Sequence, residues 1–131
     1  MAAVTDRLRL RADYTFTRAV DTTTGLELLR RPHDKWSIKT IWNPTDPLTI
    51  SAAVLHIGDF IDANRNFSIP RLTASGYTIV NITAEYAVDD QIKMFGRIDN
   101  LFNLHYQNPT GFLQPGFGMF GGVRFAGTVA K

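Results

Sequence analysis

The chain has 131 residues, the size of one domain, with 44% hydrophobic and 20% charged residues and a formal net charge of +2. Zero cysteines exclude a disulfide scaffold, thiol chemistry and Cys ligands for a structural zinc, and so small a net charge gives no ground for a nucleic-acid partner. A mean hydropathy of −0.09 fits an ordinary soluble protein and equally an outer-membrane barrel, whose lipid-facing and lumen-facing residues alternate and cancel.

No run approaches the roughly 18 apolar residues of a spanning helix. The stretch Met1 to Arg7 lacks the apolar core of a signal peptide, so no export address is expected in it. Six strands are predicted and no helix. In the first, Arg7 to Ala19, the odd positions carry Arg7, Arg9, Arg11, Asp13, Thr15 and Thr17, and the even ones Leu8, Leu10, Ala12, Tyr14 and Phe16. Alternate side chains of a strand point to opposite faces, so the charges and the apolar groups separate. The second, Lys35 to Trp42, sets Trp36, Ile38 and Trp42 against Lys35, Ser37 and Lys39. The third, Leu48 to Asp59, is the poorest case, because Leu55 and Ile57 break its polar side. The fourth, Tyr77 to Val88, opposes Val80, Ile82, Ala84, Tyr86 and Val88 to Asn81, Thr83 and Glu85. The fifth, Gln91 to Tyr106, opposes Ile92, Met94, Gly96 and Ile98 to Gln91, Lys93, Arg97 and Asp99. The last, Phe117 to Phe125, puts Phe117, Met119, Val123 and Phe125 on one side and Phe120 and Arg124 on the other.

Across the clear strands the apolar parity carries no Lys, Arg, Asp or Glu, and aromatics gather near strand ends. Tyr and Trp there suit a headgroup region, where a ring is half dry and half wet. A soluble sandwich with an aromatic core gives the same parity, and the connections separate the two. They alternate long (Val20 to Asp34), short (Asn43 to Pro47), long (Phe60 to Gly76), a two-residue turn (Asp89-Asp90) and long (Gln107 to Gly116). Tight turns at one end and long loops at the other are the pattern of an up-and-down membrane barrel. The fold expected is therefore all-β, an antiparallel meander forming part of a transmembrane barrel.

Asp99-Asn100-Leu101-Phe102-Asn103, then Tyr106, Gly111-Phe112, Pro115-Gly116 and a closing strand resemble the C-terminus of TonB-dependent outer-membrane receptors. Tyr14-Thr15-Phe16, Gly25, Arg30-Arg31-Pro32-His33, Pro44-Thr45-Asp46 and Gly76 to Asn81 resemble that family's preceding hairpins in order, closest to the cobalamin and siderophore receptors. The resemblance implies a barrel of about 22 strands with a plug in its lumen. It also implies uptake of cobalamin or a ferric siderophore, driven from the inner membrane through TonB, in a Gram-negative outer membrane. Residues 1–131 would be the C-terminal portion of such a barrel, with the plug and the TonB-contacting segment belonging to an N-terminal part not matched here. Outer-membrane lipid, the rest of the barrel, the plug, TonB and the barrel-assembly machinery are the implied partners. The family usually ends on an aromatic residue read by that machinery; here Phe125 is followed by Ala126 to Lys131, which sets efficient assembly in question.

Other motifs have simpler readings. Gly116 to Gly121 fits G-x-G-x-x-G but lies inside a strand pattern, so its glycines are expected to let the strand bend or bulky neighbours lie against it. His33, His56 and His105 lack metal-ligand spacing. Glu85 and Asp99 are expected to face each other across neighbouring strands, within an ion-pair network that includes Arg97 and Lys93. Arg7, Arg9, Arg11, Glu85, Lys93, Arg97 and Asp99 are assigned to the lumen, and the long loops to the outside. Ligand-facing candidates in those loops are Arg30, Arg31, Asn64, Arg65, Asn108 and Phe112. No bond is made or broken, so no catalytic residue, cofactor or resident metal is expected. The competing readings are a soluble or small-barrel lipid- or ligand-binding module of lipocalin type and an assembly protein that pairs through its sheet edges.

Overall fold

The computed structural model describes residues 1–126. Gly127 to Lys131, and with them most of the tail after Phe125, lie outside the described residues. Nine strands follow one another without a helix among the described residues: β1 (Ala2–Thr5), β2 (Leu8–Phe16), β3 (Asp34–Thr45), β4 (Leu48–Ile57), β5 (Phe60–Asp62), β6 (Leu72–Ala74), β7 (Tyr77–Ala87), β8 (Ile92–Asp99) and β9 (Gly118–Phe125). Seven of them form one antiparallel sheet in the order β1-β2-β3-β4-β7-β8-β9, and β5 pairs only with β6. The sheet is open: β1 and β9 are its edges, and β2 pairs with β1 and β3 rather than with the closing strand.

Register converts the sequence parity into two faces. Leu10, Thr40, Ala52, Ile82, Ile98 and Met119 stand side by side across six strands. One residue away along each strand, Arg9, Ile41, Ser51, Thr83, Arg97 and Phe120 form the neighbouring row on the other face. Among paired residues from β2 to β9, the first face holds no Lys, Arg or Glu. Its one acid, Asp34, is opposite Phe16 at the loop end and accepts a hydrogen bond from Tyr14 Oη at 2.5 Å. On the same face Trp36 stacks on His56 with ring centres 5.1 Å apart, and His56 Nδ1 lies 2.8 Å from Thr78 Oγ1.

The strands differ from the expectation in several places, the first ending at Phe16 rather than Ala19. The main sheet has a seventh strand because Ala2 to Thr5 turns over Asp6-Arg7 and pairs with β2; four small or β-branched residues are too few to show alternation. Arg7 is thereby in a turn rather than on the strand face, where its guanidinium donates to Pro44 O at 2.8 Å and Asp46 Oδ1 at 3.1 Å. The fifth expected strand stops at Asp99 instead of Tyr106, since Asn100 and Asn103 both adopt φ near +50°, a left-handed conformation no strand uses. Glu85 is opposite Phe95, not Asp99. The two acids serve separate pairs, Arg124–Glu85 at 3.8 Å and Arg97–Asp99 at 3.0 Å.

The glycine-rich string belongs to β9 and the approach to it, with strand rather than helix after it. Gly122 has a steric role: a side-chain carbon there would come within 2.7 Å of the Phe95 ring. The only buried apolar cluster among the described residues lies on the polar face at its loop end. Ile57, Phe60 and Tyr77 are buried there with Leu55, Ala74, Ile79 and Tyr106 packed against them. Leu55 and Ile57 are apolar on the polar parity because the loops cover them, which removes the anomaly in the third predicted strand.

Candidate functional site

The three long connections, residues 17–33, 58–76 and 100–117, all leave the sheet at the same end, and the short turns all lie at the other. Each loop is first shaped by its own polar side chains. In the first, Asp21 Oδ1 accepts from the N–H groups of Thr23 at 2.8 Å and Thr24 at 3.0 Å, which holds its carboxyl below the ordinary range. In the second, Asn64 accepts from Ile69 N at 2.9 Å and donates to Ser68 Oγ at 2.7 Å. The third opens with a turn in which buried Asn100 donates to Leu104 O at 2.9 Å and Pro115 O at 3.1 Å. Asn103 Oδ1 then accepts from Phe117 N at 2.9 Å, tying the end of this loop to its beginning. Gly116 leaves room for this bond, because a β-carbon there would sit 2.5 Å from that oxygen and displace it.

The loops are then joined to one another at Asp62, whose side chain is fully buried. Its Oδ1 accepts from Arg30 Nε of the first loop at 2.9 Å and from Ala63 N at 2.8 Å, and its Oδ2 accepts from Thr110 N of the third loop at 2.7 Å. Burial by itself pushes this carboxyl up. The donors from Thr110, Arg30 and Ala63 outweigh it and bring the pKa down from 3.8 to about 2. Arg30 N also donates to Ile61 O at 2.7 Å, and Arg71 Nη2 to Glu27 O at 2.8 Å, so the first and second loops meet at three places. The second and third meet again where the Arg65 guanidinium lies 5.3 Å over the Phe112 ring.

The sequence candidates therefore divide. Arg30 gives its Nε to Asp62 while its side chain stays about half exposed, Asn64 bonds within its own loop, and Asn108 donates to Tyr77 Oη at 2.8 Å. Arg65 and Phe112 come together at the surface, while exposed Arg31 contacts only the Arg30 carbonyl, at 3.2 Å, among the hydrogen bonds of the described residues. Asp62 and Thr110, which bring the loops together, were not among the candidates. The available signal was an acid set between Ile61 and Ala63 next to Phe60, since an acid in an apolar run needs a buried donor. Beside this junction lies a cleft of about 400 Å³ between residues 72–77 and 104–113. Leu72, Leu104, Leu113 and the Tyr77–Tyr106 pair, with ring centres 4.3 Å apart, supply its apolar walls. Thr73, Ser75, His105 and Gln107 add polar groups. Among the described residues no three His, Asp or Glu side chains are grouped to hold a metal ion.

No protein-family model and no curated protein matches the sequence. Solved structures do match the fold. The ferric enterobactin receptor PfeA of Pseudomonas aeruginosa, in complex with enterobactin, aligns with 95% of this chain at a TM-score of 0.79 and 16% identity. FpvA of P. aeruginosa, bound to a heterologous pyoverdine, aligns with 94% at 0.78 and 18% identity. The ferric-catecholate import receptor Fiu of E. coli K12 aligns with 93% at 0.73 and 15% identity. The chain spans about a fifth of the length of these receptors, 21%, 18% and 19% respectively. It has the fold of a section of a TonB-dependent receptor barrel.

Proposed function

We propose that this chain forms part of the wall and outer rim of an outer-membrane receptor for TonB-dependent uptake of a ferric siderophore. It is a transport component and not an enzyme. The observation that carries this reading is the two-faced open sheet with every long loop at one end. A face whose only charged residue is Asp34 at the loop end suits lipid, a face lined by Arg9, Arg11, Lys39, Arg97 and Asp99 suits a watery lumen, and unpaired edges at β1 and β9 call for further strands. The solved receptors that share this fold support siderophore over cobalamin, the other ligand suggested by the motifs. The sheet would occupy the C-terminal side of the barrel, with a plug in the lumen and TonB engaging a segment N-terminal to it. Lipid and the barrel-assembly machinery complete its partners. A lipocalin-like module is not favoured, because β2 and β9 do not pair to close a small barrel.

The test is made on cells that express the gene at its native locus. Under iron limitation the protein is expected to fractionate with the outer membrane. Its deletion should abolish growth on at least one ferric siderophore, to the same extent as loss of TonB. A soluble, detergent-independent protein, or growth that no siderophore changes, would contradict this reading.

A further inference from the structure

The Asp62 side chain is fully buried, and its two carboxylate oxygens take donors from all three long loops. Phe60 and Ala63 beside it are buried as well, while the Arg30 side chain is about half exposed, so without Arg30 the carboxylate keeps only the Ala63 and Thr110 amides as protein donors. A buried carboxylate stripped of one donor retains its desolvation cost and leans harder on those that remain. The consequence of withdrawing one loop therefore falls on the other two.

We propose that Asp62 is a positioning residue that makes the three long loops one preassembled block, so that a ligand reaching this part of the rim meets a formed surface whose pieces move together. Two features extend the coupling beyond the carboxylate. Thr110 leads directly into Gly111 and Phe112, and Phe112 returns to the second loop beneath Arg65. Gly111 N is held by Gln107 Oε1 at 2.7 Å, so a shift at Thr110 is passed to Gln107 and with it to one wall of the cleft. Arg30 makes no hydrogen bond to the third loop among the described residues. The one hydrogen bond its side chain donates among those residues is to Asp62, so the side chain's influence there runs through that carboxylate. This inference rests on the proposed receptor role only for what the rim is used for; the coupling is read independently of it.

The experiment is hydrogen exchange on the whole protein in the detergent that extracts it. Arg30→Met is expected to speed exchange at the amides of Gly111 and Phe112 by about tenfold, with the amides of Ile79 to Glu85 unchanged. Arg30→Lys, which keeps a cation within reach of Asp62, should restore most of the protection. Asp62→Ala should release all three loops together. Faster exchange in Arg30→Met confined to residues 26–34 and 60–64 would overturn the proposal, as would failure of Arg30→Lys to differ from Arg30→Met. If Asp62→Ala does not assemble, the two Arg30 variants decide the question alone.

Discussion

Asp62 sets the pH range over which the loops hold together. Its folded pKa of about 2 lies below the ordinary 3.8, so the carboxylate form is the one the fold favours. The stabilisation is complete above about pH 4 and is lost as pH falls through about 2, a contribution on the order of 2 kcal/mol. Spin labels at exposed Thr22 and Ser68 are therefore expected to give one narrow distance at pH 7 and pH 5, broadening near pH 2. Broadening already between pH 7 and pH 5 would place the loop junction elsewhere. At this scale the sequence was informative about some residues and silent about others. Asp99 to Asn103 was legible as a motif, yet its physical content, two left-handed asparagines stitching a loop's ends together, became visible only when Pro115 and Phe117 were brought beside it. Arg30 was legible as a loop cation, but nothing in the linear order reveals that a buried carboxylate 32 residues away accepts from its Nε.

The strands were the legible part, because alternation is a local property that register merely extends. Ile82 and Ile98 were placed on the apolar parity and are cross-strand partners on one face; Thr83 and Arg97 are partners on the other. Arg introduced at Ile82 is expected to cost about 2–4 kcal/mol if the site is near the bilayer midplane, and Arg at Thr83 much less. Urea titration of the membrane-inserted protein checks this, and equal costs at the two sites would remove the lipid-face assignment. What alternation missed has a physical cause in each case. The β1 strand is too short to show a period, and β5 and β6 are three residues each, held by the cluster around Phe60 rather than by their own pattern. Leu55 and Ile57 contradicted the parity because burial beneath a loop, not the face of the sheet, decides their environment.

For the whole molecule the governing fact is the pair of open edges. In hydrocarbon each unpaired backbone group costs several kcal/mol, so a seven-stranded sheet does not reside in a bilayer alone. In water the same sheet exposes Tyr14, Trp42, Met94, Met119 and Phe125, all on one face and about half or more accessible, a surface that drives self-association. Residues 1–131 produced alone are expected to be insoluble or oligomeric by sedimentation without detergent. A stable soluble monomer would point back to a self-contained binding module. The central claim, that the sheet crosses the outer membrane with its long loops outside, is tested most directly by cysteine labelling on intact cells. The full-length protein carries either Thr110→Cys or Asp90→Cys, and both variants are exposed to a membrane-impermeant thiol reagent. Thr110→Cys is expected to be labelled on intact cells, and Asp90→Cys only after the outer membrane is breached. The opposite preference would invert the topology, and equal labelling of both on intact cells would show that the sheet does not span the membrane at all.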